Sequence, residues 1–226
     1  MGFFITIEGI EGAGKSTLRS KLSDFAASLE LDVVITREPG ATTLGQSVRG
    51  IVLDPKNKKL HPLAELMLFS ADRAQHLEEI VRPALSRGSV VICDRYTHST
   101  IAYQGYGRGL DLESLNRLNQ FVTQGLAPDL VLLLDLPPEL GLERAQQRSR
   151  KASGQFPAQT IKDAMTGASS WNRFEDQDLA FHRRVRQGFL ELSEDASNKF
   201  VMLDATASPE LVANGAFIAI KGLVGK

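Results

Sequence analysis

The chain has 226 residues, of which 42% are hydrophobic, and its formal net charge at pH 7 is -1. This length and apolar content suit a single α/β domain over residues 1–226, with a core on both faces of a sheet. A charge this close to zero gives no overall attraction to nucleic acid or to an anionic membrane, and no apolar run approaches the roughly 18 residues of a membrane span. We therefore expect a cytoplasmic protein that binds neither nucleic acid nor a membrane.

Short β-rich runs alternate with long helical patterns along the chain. The predicted strands are residues 3–7, 33–36, 90–93, 130–134 and 200–203. Helices are predicted to begin at Ser16, Thr43, Pro62, Asp111, Pro138, Asp176 and Ser208. This alternation is typical of βαβ units, and it predicts an α/β fold with a parallel five-stranded sheet covered by helices on both faces.

The first predicted strand runs into a glycine-rich turn with the pattern G-x-x-x-x-G-K-[ST]. The turn covers residues 9–17, which are Gly9, Ile10, Glu11, Gly12, Ala13, Gly14, Lys15, Ser16 and Thr17. Backbone N–H groups of such a turn point into one concavity, where Lys15 adds a positive charge and Ser16 a hydroxyl for Mg²⁺. A glycine-rich turn without a ligand is the alternative, and the position between a strand and a helix disfavours it. The pattern predicts a fold of the P-loop NTPase type that binds a nucleoside triphosphate.

Polar residues follow four of the predicted strands, namely Glu8, Arg37 with Glu38, Asp94 with Arg95, and Asp135. In an open parallel sheet, ligands gather at the carboxyl ends of the strands. We therefore expect these residues to converge on the phosphate loop, although they are distant in sequence.

The composition changes between residues 151 and 172 to mainly Ser, Gly, Ala, Gln and Lys. Arg148 and Arg150 precede this stretch, and Arg173 follows it. Such a stretch buries little apolar surface, and arginines beside a flexible loop are what phosphoryl transfer requires. We predict a mobile lid over about 148–173, with a passive surface insertion as the alternative.

Further motifs follow the phosphate loop in order: T-R-E-P-G at 36–40, L-F-S-A-D-R at 68–73, D-R-Y-T-H-S-T-I-A-Y-Q-G at 94–105, and P-D-L through L-D at 128–135. On these motifs the chain resembles the thymidylate kinase family, from Phe4 to about Asp204, in its bacterial type with an arginine supplied by the lid. The resemblance implies that the chain phosphorylates dTMP to dTDP with ATP and Mg²⁺. It also implies a homodimer that joins through the apolar helices near residues 62–85.

The dTMP-binding residues that the resemblance implies are Glu11, Glu38, Arg49, Phe69, Arg73, Arg95, Thr100, Tyr103 and Gln104. Phe69 would stack on the thymine ring, and Arg73 would donate to its O4 atom. A donor at this point favours thymine or uracil over cytosine, whose exocyclic amine is itself a donor. Thr100 and Gln104 would complete the contacts to the base edge.

The same resemblance implies how the rest of the nucleotide is held. Arg95 and Arg49 would bind the 5′-phosphate, and Glu11 would lie near the sugar 3′-hydroxyl. Tyr103 would lie beneath the sugar and exclude a 2′-hydroxyl, which implies a preference for the deoxy sugar. Arg144 would pack on the adenine of ATP.

Transfer of the γ-phosphoryl group from ATP to dTMP would depend on alignment and charge neutralisation, because the attacking phosphate oxygen is already anionic. The implied catalytic residues are Lys15, Arg95, Arg148, Arg150 and Arg173, and the implied Mg²⁺ ligands are Ser16 and Asp94. Some members of the family carry an arginine in the phosphate loop, but the corresponding position here is Gly12. The lid would therefore supply this arginine, with Arg148 as the first choice and Arg150 or Arg173 next.

Two other functions stay open at this point. A kinase for another nucleoside or nucleoside monophosphate shares the phosphate loop, although Arg73 and Tyr103 favour thymidylate. A non-catalytic nucleotide-sensing module would keep Lys15 but would not need the whole acceptor pocket. A regulatory GTP-binding switch is disfavoured because the sequence lacks an N-K-x-D motif. His98 and His182 have no metal-ligand spacing, and we expect polar core or surface roles for both.

Overall fold

The computed structural model describes residues 2–28, 32–153 and 172–225. Most of the predicted lid, residues 154–171, lies outside the described residues. No helix in the described part of the chain is long and apolar enough to cross a membrane.

Within the described ranges, five parallel strands form one sheet in the order β2-β3-β1-β4-β5. They are β1 (Phe3–Glu8), β2 (Val33–Arg37), β3 (Val90–Asp94), β4 (Leu130–Asp135) and β5 (Phe200–Asp204). The predicted α/β fold with a five-stranded parallel sheet is confirmed. Each strand ends one residue later than predicted, and the added residue is polar in every strand.

The helices lie on both faces of this sheet. They are α1 (Lys15–Ser28), α2 (Thr43–Leu53), α3 (Pro62–His76), α4 (Arg82–Ser86), α5 (Thr97–Thr100), α6 (Leu112–Thr123), α7 (Pro138–Ser153), α8 (Leu179–Glu194) and α9 (Pro209–Val224). Two π-helical segments, Leu77–Val81 and Ile101–Gly107, continue α3 and α5, and a 3₁₀ turn covers Ala196–Asn198.

Side-chain caps fix where several helices begin. Asp111 and Ser208 each accept a hydrogen bond from the N–H three residues later, so both predicted starts are N-caps. The predicted start at Asp176 is wrong, because the capping carboxylate belongs to Asp178, which accepts from the Phe181 N–H at 2.7 Å. The helix consequently begins at Leu179.

The central strand β1 is buried on both faces. Phe4 packs on one side with Leu77 and Val81, whereas Ile5 packs on the other with Leu18 and Leu22. This two-sided burial is the usual property of a parallel sheet between helices. It makes the sheet a rigid base for the loops at the carboxyl ends of the strands.

Candidate active site

A cleft of about 850 Å³ opens at the carboxyl ends of the strands. Its walls include the phosphate loop, the turns after β2 and β3, and residues of α2, α3, α7 and the Ile101–Gly107 segment. Asp94 and Arg95 line this cleft as expected, but Asp135 does not. Instead, Asp135 accepts two hydrogen bonds from Arg186 of α8, at 2.7 and 2.8 Å.

The phosphate loop adopts backbone conformations that favour glycine. Gly12 has a φ angle of 74°, and a Cβ atom there would lie 2.2 Å from the carbonyl oxygen of Gly141. Any side chain at this position would therefore force the loop and the start of α7 apart. The loop has no room for an arginine at this point.

Lys15 is folded back onto its own loop. Its Nζ donates to the carbonyl oxygens of Gly9 at 2.8 Å and Ile10 at 2.7 Å. Burial lowers the pKa of Lys15 to about 8, with the charge of Arg95 acting in the same direction. An anion in the cleft would favour the charged form of this lysine.

Glu11 faces the cleft from within the loop and is held by three side chains. The Tyr103 hydroxyl lies 2.8 and 2.7 Å from the two carboxylate oxygens, Arg95 Nη2 donates to Oε1 at 3.2 Å, and His182 Nδ1 lies 3.6 Å from Oε2. Burial alone would raise the pKa of Glu11, but the contact with His182 and the charges of Arg95 and Lys15 hold it well below its usual value. Glu11 is thus an anionic acceptor, suited to a ligand hydroxyl.

A buried carboxylate of β1 holds the turn that follows β3. Glu8 accepts hydrogen bonds from the Tyr96 N–H at 2.8 Å and from the Ser99 hydroxyl. Burial raises the pKa of Glu8 to about 7. Arg95, the residue before Tyr96, adopts a φ of 74°, which is uncommon outside glycine, and its guanidinium carbon lies 4.8 Å from the centre of the Tyr103 ring. The turn therefore directs Arg95 into the cleft.

Asp94 and Ser16 both line the cleft beside the loop. The Oδ1 atom of Asp94 is buried and has no hydrogen-bond partner among the described residues, while Oδ2 lies 3.7 Å from Arg19 Nη1. A buried carboxylate oxygen without a described partner, in a cleft that a loop hydroxyl also lines, suits a hard cation with oxygen ligands. The donors present therefore fit Mg²⁺.

The far end of the cleft is built around Arg73 of α3, whose side chain is 3% exposed. Its Nε donates to Glu38 Oε2 at 2.8 Å, and its Nη1 donates to Thr100 Oγ1 at 2.9 Å and to Asn119 Oδ1 at 3.0 Å. Phe69, one helical turn earlier, lines the same cleft. A fixed donor and an aromatic ring thus meet where a flat ligand could bind.

Glu38, His76 and Cys93 have ligand atoms within 4.8 Å of one another and resemble a metal site. Both ring nitrogens of His76 are already hydrogen-bonded, however, to Thr36 Oγ1 at 2.7 Å and to Glu38 Oε1 at 2.9 Å. We therefore interpret the group as a hydrogen-bonded network that orients Glu38 beneath Arg73.

Several arginines face the middle of the cleft. Arg49 of α2 donates from Nη1 to the Pro39 carbonyl oxygen at 3.1 Å, and burial together with the charge of Arg37 lowers the pKa of Arg49 to about 10. Arg19 and Arg95 also line this region. Positive charges held this close to one another fit a phosphate group between them.

The chain is similar in sequence to known proteins over most of its length. The sequence model described as thymidylate kinase matches residues 7–168, more than half of the chain. The chain belongs to the thymidylate kinase family. A thymidylate kinase of Desulfovibrio desulfuricans is 51% identical over 207 residues, which are 92% of this chain and 89% of that protein. One from Solidesulfovibrio magneticus is 45% identical over 223 residues, 99% of each chain.

A solved structure of the family agrees in fold. The crystal structure of thymidylate kinase from Ehrlichia chaffeensis superposes with a TM-score of 0.73 and 29% sequence identity, covering 97% of this chain and 98% of that one. The family assignment and the P-loop NTPase type of fold, both expected from the motifs, are therefore confirmed.

The cleft collects most of the residues that the sequence singles out for this family. Those that line it are Glu11, Gly12, Ala13, Gly14, Lys15, Ser16, Thr17, Glu38, Arg49, Phe69, Arg73, Asp94, Arg95, Thr100, Tyr103, Gln104, Arg144 and Arg148. Gly9 and Ile10 of the same loop are not among the described lining residues, and their carbonyl oxygens accept hydrogen bonds from Lys15.

The arginines that flank the lid separate into different environments. Arg144 Nη1 donates to the Ala205 carbonyl oxygen at 2.9 Å, and Arg148 forms an ion pair with Glu175; both arginines line the cleft. Arg150 is exposed on α7 and is not among the described residues that line the cleft.

Arg173 is also absent from the described lining of the cleft. It is buried in an ion pair with Glu65 and donates from Nε to the Val52 carbonyl oxygen at 3.1 Å. In this geometry Arg173 is a structural residue, so its candidacy as a catalytic arginine is not supported.

Sequence reasoning missed several residues of the site. Glu175, which pairs with Arg148, follows the lid, and its position could not be deduced from spacing. His182 has the polar core role that was expected, and the structure adds that it lies in α8 against Glu11, 171 positions away in the chain. Arg37 was expected near the phosphate loop as a strand-end residue and does line the cleft, but its electrostatic effect on Arg49 was not predicted.

Proposed function

We propose that this member of the thymidylate kinase family transfers the γ-phosphoryl group of ATP to dTMP, yielding dTDP and ADP. The observation that carries the proposal is that the phosphate loop and the Phe69–Arg73 pocket line the same cleft. A cleft with a triphosphate site at one end and a base site at the other can align a donor and an acceptor for in-line transfer.

The triphosphate would bind along the phosphate loop, residues 9–17. Lys15 would exchange its bonds to the Gly9 and Ile10 carbonyl oxygens for phosphate oxygens, which offer more negative charge. Arg144, held at the loop by the Ala205 carbonyl oxygen, would pack on the adenine.

Ser16 and Asp94 would hold Mg²⁺ at the loop. The unpartnered Oδ1 atom of Asp94 supports this assignment. When bound, the ion would neutralise charge on the phosphates.

The acceptor nucleotide would lie across the rest of the cleft. Phe69 would stack on thymine, and Arg73 would donate to O4 because Glu38 and Thr100 fix its guanidinium. Gln104 would complete the base edge, a role supported by its place in the cleft wall.

The sugar and the phosphate of dTMP would meet the middle of the cleft. Glu11 would accept from the sugar 3′-hydroxyl, with Tyr103 beneath the ring. Arg95 and Arg49 would bind the 5′-phosphate. Arg95 would also stabilise the negative charge of the transition state. The phosphate is already anionic, so no general base is required.

Arg148 would stabilise the charge that develops on the transferring group. The steric limit at Gly12 supports this assignment, because it prevents the loop from carrying an arginine. Residues about 148–173 would form the mobile lid of a single kinase domain over 1–226.

We also propose a homodimer in the cytoplasm. Exposed apolar side chains on α2 and α3 support a shared face: Leu63 is 48% and Met67 47% exposed, and Leu44 and Ile51 are similar. Multi-angle light scattering tests this, since Met67→Lys should shift the protein towards monomer if the face is an interface.

The test of function is a coupled ADP-release assay with ATP, Mg²⁺ and one nucleoside monophosphate at a time. Wild type should release ADP fastest with dTMP, and Lys15→Ala should release almost none. Lys21→Ala is a matched control on the same helix, since Lys21 pairs with Glu210 at 3.2 Å away from the cleft. Preference for another monophosphate would support a different kinase, and ATP binding without any turnover would support a nucleotide-sensing module.

A further inference from the structure

Glu65 of α3 is fully buried and gathers donors from three parts of the fold. Its Oε1 accepts from Gln104 Nε2 at 2.8 Å, and its Oε2 accepts from Arg108 Nη2 at 3.2 Å and from Arg173 Nη2. Arg108 Nε also lies 3.3 Å from Oε1. Both oxygens of this buried carboxylate therefore accept hydrogen bonds, and two guanidinium groups compensate its negative charge.

This cluster fixes the direction of the Gln104 amide. An ionised carboxylate only accepts hydrogen bonds, so the amino end of the amide must face Glu65. The carbonyl atom Oε1 then lies on the other branch of the amide. Because Gln104 lines the cleft, the polar atom it offers to a ligand is an acceptor.

An acceptor at Gln104 and a donor at Arg73 can together distinguish thymine from cytosine. The two residues are linked through Thr100, which accepts from Arg73 Nη1 at 2.9 Å and precedes Gln104 on the same helical run. Thymine presents an acceptor at O4 next to a donor at N3–H, whereas cytosine presents a donor at N4 next to an acceptor at N3. The pair Arg73 and Gln104 matches thymine at both atoms and opposes cytosine at both.

We propose that Glu65 is a positioning residue that sets base specificity by holding the Gln104 amide with Oε1 towards the base. The proposal rests on the function proposed above. Discrimination against cytosine would then depend on two groups, the Arg73 guanidinium and the Gln104 amide. The buried Glu65 fixes the direction of that amide. Glu65 itself does not touch the nucleotide.

The test compares kcat/KM for dTMP and dCMP in wild type, Glu65→Gln, Gln104→Leu and the double variant. In Glu65→Gln the partner amide can donate or accept, so the Gln104 amide is free to turn over. The dTMP preference should fall about tenfold or more in either single variant, the usual cost of one unmatched buried polar group, while the KM for ATP stays the same. The double variant should be no worse than Gln104→Leu alone, since Glu65 acts through Gln104.

Glu113→Gln is the matched control, because it removes a carboxylate from an exposed pair with Arg117 on α6 and should change neither ratio nor KM. An unchanged dTMP preference in a folded Glu65→Gln protein, or additive losses in the double variant, would overturn the proposal. If Glu65→Gln gives no cooperative melt, Glu65→Asp keeps the charge beside both arginines but draws it back from Gln104. If the preference for dTMP were retained both in Glu65→Asp and in Gln104→Leu, the proposal would likewise be overturned. If the wild-type protein does not phosphorylate dTMP, the proposed function itself would be refuted instead.

Discussion

Replacing Arg148 by alanine should lower kcat far more than it raises either KM. Arg148 is the lid-flanking arginine that both lines the cleft and stays half-exposed, at 55%, which leaves it able to move onto a ligand. Arginines that stabilise charge in a phosphoryl-transfer transition state contribute ~10³-fold or more to the rate, which corresponds to about 4 kcal/mol. Folding stability should fall by about 1–3 kcal/mol, because Arg148 is half-exposed but its partner Glu175 is buried and would lose its cation.

Two neighbouring arginines provide controls of different kinds. Arg150→Ala removes an exposed side chain outside the cleft, so kcat and the melting temperature should both stay near wild type. Arg173→Ala should lower stability by about 3 kcal/mol or more, since it removes one cation from the buried ion pair with Glu65. Well below its melting temperature, this variant should lose much less kcat than Arg148→Ala.

The assay is steady-state ADP release with ATP and dTMP both saturating, accompanied by thermal melts of all three variants. A kcat for Arg148→Ala within about threefold of wild type would refute the assignment of Arg148. A large kcat loss in Arg150→Ala alone would keep an arginine mechanism but move it to another residue. A large loss in Arg173→Ala with a normal melt would show that its buried pairing opens during catalysis.

Three further outcomes follow from the same cleft. Lys15→Ala should abolish nearly all phosphotransfer while the protein keeps a cooperative melt, since Lys15 supplies charge to the transferring group; a near-normal kcat in a folded variant would contradict its role. Arg73→Ala should raise the KM for dTMP and weaken discrimination against dCMP, at a cost of about 1–3 kcal/mol, and leave the KM for ATP unchanged; equal effects on both substrates would exclude Arg73 from the base site. Glu8 has its pKa raised by burial from 4.5 to about 7, so the folded state holds a proton there that the unfolded chain has lost. Wild-type stability should therefore fall as pH rises from about 4.5 to 7, by about 3 kcal/mol from this group, and Glu8→Gln should remove that part of the slope in pH-dependent denaturant melts. Superimposable slopes for the two proteins would contradict it.

Local sequence patterns are enough to predict the sheet and the phosphate loop. β-branched runs, N-cap residues such as Asp111 and Ser208, and the spacing of Gly9, Gly14 and Lys15 are each determined within a few neighbouring residues. Such signals do not depend on how distant segments pack. They therefore predict the strands to within one residue and locate the glycine-rich phosphate loop in the chain.

The features that the sequence did not predict depend on contacts between distant segments. Arg148 and Arg173 flank the same lid, and nothing nearby in sequence indicates that Arg173 is captured by Glu65 of α3. Asp176 and Asp178 are equally suitable as N-cap residues by type, and the folded backbone places only Asp178 to accept from the Phe181 N–H. His182 against Glu11 likewise results from how α8 packs on the loop.

We propose that this cleft phosphorylates dTMP in preference to dCMP, dAMP and dGMP. A competition reaction tests it directly, with ATP, Mg²⁺ and equal concentrations of dTMP, dCMP, dAMP and dGMP, and with the diphosphate products separated and quantified over time. We predict that dTDP forms first, in amounts that match the ADP released, and that Lys15→Ala forms none. Formation of dCDP, dADP or dGDP at a comparable rate, or ADP release without dTDP, would contradict the account.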